Sequence, residues 1–169
     1  MQGIELATES IPGCVLQLYA WLNSPEEAGK LALASIGISA LTTGYTSAMI
    51  AFDMDLDAER RKTQARLYGY VPDDNGLRGR AFKLMTLISA LHNLSRSLGC
   101  ALIVASPNGK NLLAIFLGVE MAIYLLFKIA RNDFFYFLRI DGPLAVVIAL
   151  FERVFAKIIL DFTGCLHMR

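Results

Sequence analysis

The sequence predicts an all-α fold: a multi-pass transmembrane helical bundle with a kinked first helix and an antiparallel helical hairpin. Hydrophobic residues make up 55% of the 169 residues, above the usual share of about 45–50%. Residues 31–52 carry no charge, and uncharged runs of about 18 residues or more are typical of spanning helices. Charged residues collect between such runs. We expect one membrane-embedded domain over residues 1–169 and, since the chain starts within a helix-forming pattern and stops at Arg169, a fragment of a longer protein.

The first predicted span covers residues 4–22. These 19 residues make about 28 Å of helix at roughly 1.5 Å per residue, close to a hydrocarbon core of about 30 Å. Pro12 cannot donate to the carbonyl of Thr8 and clashes with it, which predicts a kink. Glu9 and Gln17 fall broadly on one side. Because a carboxylate inside a span costs roughly 2.5–3.5 kcal/mol, this side should face protein or water.

The second predicted span covers residues 31–52. Small residues spaced four apart, Ala40, Gly44 and Ala48, would let a neighbouring helix approach closely. Small residues are also common in spans generally, which explains the pattern equally well.

Residues 53–83 form the long hydrophilic segment and are predicted to be a loop. Acids alternate from Asp53 to Glu59 as at the start of a calcium-binding loop, but Ala58 and Gln64 stand where that loop needs Gly and Glu. We favour a solvated helix extension in which acids pair with neighbouring bases, followed by a loop.

The third and fourth predicted spans, residues 84–106 and 112–130, are joined by a turn too short for anything but an antiparallel helical hairpin. His92 and Arg96 belong to a polar stripe on the third span. Arg96 lies near the middle of its span, so it needs a partner. Reflecting the chain about the turn places it opposite position 121, and we therefore predict that Glu120 pairs with it.

Two further features are left open by the pattern. Glu9 enters the bilayer from the same side as His92, at a comparable but shallower depth, and whether the two side chains meet is open. A fifth helix, predicted over residues 143–162, carries Arg153, Lys157 and Asp161 at steps of four. This pattern fits a span with a polar face and a helix at the membrane surface equally well.

Orientation follows from the distribution of basic residues. The loops after the first and third helices hold two bases, Lys30 and Lys110, whereas the connections after the second and fourth hold ten. The positive-inside rule places the richer side in the cytoplasm. We therefore expect an integral protein of the plasma membrane or an endomembrane, with loop 53–83 cytoplasmic. The ten bases are Arg60, Arg61, Lys62, Arg66, Arg78, Arg80, Lys83, Lys128, Arg131 and Arg139.

Several function classes are disfavoured. A net charge of +1 argues against nucleic acid as a partner. The three cysteines show neither CxxC spacing nor a neighbouring His in a ligand pattern, so we predict free thiols and no metal site. No nucleophile, base and oxyanion donor come together around His92 or His167, so we predict no catalytic residue and no cofactor.

Three stretches resemble a known family. Glu9-Ser10-Ile11-Pro12 followed by Leu16-Gln17-Leu18-Tyr19 resembles the Glu-Ser-x-Pro-Gln-x-x-Leu-Gln-Leu-Tyr signature of XK-related membrane proteins, with Gly13 in place of the family's Gln. Ser35 to Tyr45 resembles the next, serine-containing span, and Ser95-Arg96-Ser97-Leu98 resembles a Ser-Arg-x-Leu helix. The resemblance covers Ile4 to Phe127.

This resemblance implies a multi-pass membrane protein. Several XK-related proteins expose phosphatidylserine by letting phospholipids cross the bilayer without ATP, often with a single-span partner. By resemblance, Glu9, Gln17 and Arg96 belong to the polar interior of a lipid path, to which our hypothesis adds His92. Membrane lipids are the expected ligands, and a single-span protein or a second copy is the expected partner. The alternatives are a non-transporting scaffold whose buried charges hold helices together, and an ion or small-solute transporter with a broken helix at Pro12.

Overall fold

A computed structural model describes residues 2–63, 68–130 and 145–164, and its described part is helical without strands. The predicted all-α class is therefore confirmed. The elements in chain order are α1 (Gln2–Glu5), a π-helical segment (Leu6–Ser10), α2 (Ile11–Asn23), α3 (Pro25–Leu56), α4 (Ala58–Thr63), α5 (Asn75–Ala105), α6 (Gly109–Ala130) and α7 (Ala145–Thr163).

Within the described residues, three helices are long and apolar enough to cross a membrane: Gly29–Leu56, Asn75–Ala105 and Gly109–Ala130. They correspond to the second, third and fourth predicted spans. The first predicted span is not among them because the π segment divides it into short pieces. The fifth predicted helix is present as α7. It carries four charged residues and is not among the helices apolar enough to cross a membrane.

The discontinuity predicted at Pro12 takes the form of a π-helical turn. The N–H of Ile11 donates to the carbonyl of Leu6, five residues earlier, while the backbone of Ser10 and Ile11 remains right-handed helical. A proline lacks the N–H for a normal helical bond and crowds the carbonyl four residues before it. A wider turn just ahead of Pro12 accommodates both effects.

Helix α5 is the centre of the bundle and packs against α2, α3, α6 and α7. Its approach to α3 is closest at Gly44, where an added Cβ would lie 2.5 Å from the carbonyl oxygen of Thr86 and 2.7 Å from the amide nitrogen of Ala90. Ala40 and Ala48, one turn to either side, are fully buried. The close helix approach predicted from these small residues is therefore confirmed.

The distribution of polarity is that of a membrane protein. The α3–α5 region buries Thr43, Ser47, Ser89 and Asn93, while large apolar side chains lie exposed along α3, α5, α6 and α7. In the most apolar part of α6, only 6% of the residues are buried. Large exposed apolar surfaces mark contacts with a membrane or with another protein. This supports a membrane location by composition and exposure.

Much of the predicted loop 53–83 is helical, because α3 continues to Leu56, α4 follows, and α5 already begins at Asn75. The carboxylate of Asp74 caps α5 by accepting from the N–H of Gly76 at 2.8 Å. The predicted helix extension is thus present as α4. Residues 64–67 lie outside the described part.

Asp55, at the end of α3, is fully buried and anchors the remaining loop. Its carboxylate accepts hydrogen bonds from the N–H groups of Gly69 (2.9 Å), Tyr70 (3.2 Å) and Val71 (2.9 Å). The guanidinium of Arg61 lies 3.4 Å from the same carboxylate. Asp55 is one of the alternating acids that resembled the start of a calcium-binding loop, and its carboxylate binds backbone amides of its own chain instead.

Candidate functional site

The candidate site is built on the α5–α6 hairpin. Helix α5 ends at Ala105 and α6 begins at Gly109. Asn108 has a positive φ of 60°, and an added Cβ on Gly109 would lie 1.9 Å from the carbonyl oxygen of Ile103. Only glycine fits this position, and the tight turn sends α6 back along α5. The predicted antiparallel hairpin is confirmed.

Arg96 and Glu120 face each other across this hairpin. The Nη2 atom of Arg96 donates to Oε2 of Glu120 at 2.6 Å. Their side chains are 27% and 33% exposed, respectively, so the pair is neither fully buried nor free on the surface. The pairing predicted from the turn is confirmed.

Helix α7 adds a second ion pair that the sequence did not assign to this site. The Nζ of Lys157 lies 3.3 Å from Oε1 of Glu120 and also contacts both carboxylate oxygens of Asp161, one turn along α7. Two acids and two bases from three helices thus form one neutral group, the charge cluster (Arg96, Glu120, Lys157 and Asp161). The four-residue spacing of Lys157 and Asp161 was the signal for their mutual pair, but nothing local indicated which helix they would meet.

Aromatic rings enclose the two cations of the cluster. The guanidinium of Arg96 lies 5.4 Å from the ring centre of Phe116 and 6.0 Å from that of Phe162. The ammonium of Lys157 lies 5.6 Å from the ring centre of Tyr124. Such cation–π contacts contribute about 0.5–2 kcal/mol each.

His92 lies one turn from Arg96 on the same face of α5 and joins the cluster through the backbone. Its Nε2 is 2.9 Å from the carbonyl oxygen of Asp161. Because a carbonyl only accepts, the proton of this hydrogen bond is on Nε2. His92 therefore ties α5 to the end of α7, and the predicted stripe of His92 and Arg96 does face the site.

Two adjoining cavities open beside the cluster, and together we call them the hairpin groove. The polar cavity has a volume of ≈ 300 Å³ and the apolar one ≈ 650 Å³, and they share Ile103 and Phe116. His92, Ser95 and Arg96 line the polar part. The apolar part is lined by Leu112, Ile115, Val119 and Ile123 together with Glu120. The polar side chains of the groove therefore lie next to a longer apolar lining along the hairpin.

The other two predicted site residues lie elsewhere. Gln17 lines a separate cavity of ≈ 200 Å³ between α2 and α3, together with Trp21 and Ser35. Glu9 is exposed on the π segment. Within the described residues it makes no hydrogen bond or ion pair with His92, so the contact considered between them is not formed. The Nε2 of His92 instead contacts the carbonyl oxygen of Asp161 on α7.

Neither a metal centre nor a relative identifies the site. Among residues 2–63, 68–130 and 145–164, no three His, Cys, Asp or Glu side chains are grouped to hold a metal ion. Cys14 and Cys100 are buried free thiols, whereas Cys165 and His167 lie outside the described residues. No family model, curated protein or solved structure matches this chain. The resemblance to XK-related proteins therefore remains a prediction.

Proposed function

We propose that this chain is an integral membrane protein that lets phospholipids move between leaflets along the hairpin groove, without ATP. The observation that supports this best is the partly exposed Arg96–Glu120 pair on the floor of a groove whose walls are apolar. A bilayer-facing surface rarely carries ionised side chains, and those that it carries usually mark a path for polar groups.

The chemistry of the groove complements a phospholipid headgroup. A guanidinium binds phosphate oxygens through directed hydrogen bonds, and the carboxylate of Glu120 attracts an amine. The charge cluster replaces part of the hydration that a headgroup loses on leaving water, which lowers the barrier to crossing. The acyl chains remain against Ile115, Val119 and Ile123 or in lipid. No covalent step is required.

The resemblance of residues 9–19 to the XK-related signature agrees with this proposal. It adds a single-span partner or a second copy as the expected assembly. The excess of basic residues on one side of the predicted spans supports a cytoplasmic position for loop 53–83, by the positive-inside rule. These parts of the proposal rest on sequence patterns.

A structural scaffold is the second candidate, favoured by one observation: the two acids and two bases of the charge cluster already satisfy each other. In this case the cluster fixes the register of α5, α6 and α7 and binds no lipid. Buried ionic groups have this role in other helical assemblies.

A reconstitution separates these functions. Purified protein is placed in liposomes with a trace of fluorescent phospholipid, and a membrane-impermeant quencher is added outside. Lipid crossing makes nearly all the label quenchable, whereas quenching that stops at about half the label supports the scaffold. Leakage of an enclosed solute without lipid crossing supports a transporter.

A matched pair of variants links the activity to the groove. Arg96→Gln should slow crossing at least several-fold, because it removes the headgroup-binding cation. Arg60→Gln is the control, since Arg60 is a partly exposed cation on α4, outside the groove, with its own acidic neighbour Asp57 at 3.4 Å. Equal rates in both variants would contradict the proposed path.

A further inference from the structure

Of the three described helices that are long and apolar enough to cross a membrane, α6 is the least buried. Its main neighbours are α5 and α7, and only 6% of the residues in its most apolar part are buried. By contrast, α3 and α5 interlock at Gly44, where no room is left for even one methyl group. Separation of α6 from a neighbour would therefore disturb little packing.

The ionic contacts between α6 and α7 have an unusual arrangement. Glu120 and Lys157 form an ion pair between the two helices, at 3.3 Å. If this contact breaks, Glu120 keeps Arg96 on α5, and Lys157 keeps Asp161 on its own helix. Each half of the charge cluster is therefore neutral by itself.

This neutrality removes the usual penalty for opening a buried ionic interface. Breaking a buried ion pair is usually costly, because it leaves an uncompensated charge behind. Here both charges retain a partner in the open state, so breaking the 3.3 Å contact leaves neither of them unpaired. Opening also gives up the approach of Lys157 to the ring of Tyr124 and the packing of Leu113 of α6 against the apolar core that α7 shares.

Helix α7 contributes buried side chains to the apolar core, whereas α6 contributes a partly buried one, so we take α6 as the element that moves. Ala156, Ile159 and Phe162 of α7 belong to one core with Leu6 of the π-helical segment and Ile11 of α2, and Leu113 of α6 packs against that core. The carbonyl of Asp161 is also bound to His92 of α5. The turn at Asn108–Gly109 and the pair with Arg96 keep α6 attached to α5 while it swings.

We propose that the seam between α6 and α7 is a lateral gate, closed by the Glu120–Lys157 contact and opened by a swing of α6. When closed, it buries Lys157, whose side chain is 10% exposed. When open, it presents Arg96, Glu120 and Lys157 sideways to the bilayer. Its purpose as an entrance for lipid headgroups rests on the proposed function, whereas the opening itself does not.

Distance measurements between spin labels test the gate. Labels are placed at Ile123 on α6 and Phe151 on α7, both of which are more than half exposed, in the full chain without its native cysteines. The control pair is Leu41 on α3 and Leu91 on α5, which are also exposed but lie on helices locked at Gly44. Both pairs are measured in liposomes.

Two substitutions should shift the gate in opposite directions. Lys157→Met removes the closing contact and should at least double the fraction of long α6–α7 distances. Asp161→Asn removes the partner that Lys157 keeps in the open state, and should reduce that fraction. Lys110→Met, an exposed cation outside the seam, should change neither distance. General loosening of the fold would instead lengthen distances in both variants and in the control pair.

The outcomes separate the gate from the proposed function. The gate is supported if the two variants shift the α6–α7 distances in opposite directions while the α3–α5 distances stay unchanged. This holds even if no variant moves lipid, since that result would contradict only the proposed function. The gate proposal would be overturned if all variants had identical α6–α7 distances, or if Lys157→Met and Asp161→Asn both lengthened them. Either result counts against the gate whatever the lipid assay shows.

Discussion

Arg96 and Glu120 are 24 residues apart in sequence, yet Nη2 and Oε2 lie 2.6 Å from each other. Each residue is twelve positions from Asn108, the turn residue with a φ of 60°. The turn therefore sets the register of the hairpin, and the register brings the two charges to the same level. One glycine-dependent turn thus decides which charges neutralise each other inside the bundle.

A double-mutant cycle on this pair should show strong coupling. We expect Arg96→Ala and Glu120→Ala each to lower the free energy of unfolding, with a coupling energy of about 1–2 kcal/mol, within the range for partly buried charged contacts. Glu120→Ala should cost more, because Glu120 serves two cations. Reversible unfolding in mixed detergent micelles measures these values.

The matched control is Asp57 with Arg60, an exposed pair at 3.4 Å. Exposed pairs of this kind contribute about 0–1 kcal/mol, so its coupling should be clearly smaller. Strictly additive effects at Arg96 and Glu120 would show that the pair adds nothing to stability.

The hairpin shows what local sequence can predict. Its turn, its antiparallel direction and the Arg96–Glu120 pair all follow from counting residues on either side of a short connection. The close α3–α5 approach follows in the same way from the spacing of Ala40, Gly44 and Ala48. In each case only a few turns of regular helix separate the residues of the sequence pattern from the contact. Regular helical geometry is therefore enough to predict which residues meet.

Gly44 provides a sharp test of the α3–α5 contact. Gly44→Ala places a methyl group 2.5 Å from the carbonyl oxygen of Thr86, and we expect a loss of about 1–3 kcal/mol because the helices must separate. Gly37→Ala is the control on the same helix, since an added Cβ there meets nothing within 4 Å. It should be neutral or slightly stabilising, by up to about 1 kcal/mol.

The measurement for both glycine variants is the unfolding midpoint at fixed lipid-to-detergent ratio. A Gly44→Ala protein as stable as Gly37→Ala would contradict the close packing described for α3 and α5.

Asp55 should hold the loop after α4. In Asp55→Ala the N–H groups of Gly69, Tyr70 and Val71 lose their acceptor, and we expect hydrogen exchange at these residues to rise at least tenfold, which corresponds to about 1.4 kcal/mol. Asp53→Ala is the control, because Asp53 is exposed at the same end of α3. Equal protection of residues 69–71 in the two variants would show that Asp55 is not the anchor.

The features that sequence could not supply depend on distant parts of the chain. Asp55 meets amides 14 to 16 residues away through an irregular loop, so no periodic pattern reports the contact. Lys157 meets Glu120 only because α7 packs beside the hairpin, and its polar face was equally consistent with a membrane surface. At Pro12 the sequence indicated a broken helix but not that a π turn would absorb the break.

The central claim is that the charge cluster lies within the bilayer, and spin-label depth at Val119 tests it most directly. Val119 is exposed on α6 beside Glu120, and Tyr70, 72% exposed on the loop after α4, is the aqueous reference. In liposomes we expect a label at Val119 to collide often with oxygen and rarely with a water-soluble nickel reagent, and a label at Tyr70 to do the reverse. Nickel access at Val119 equal to that at Tyr70 would place the cluster in water and contradict the account.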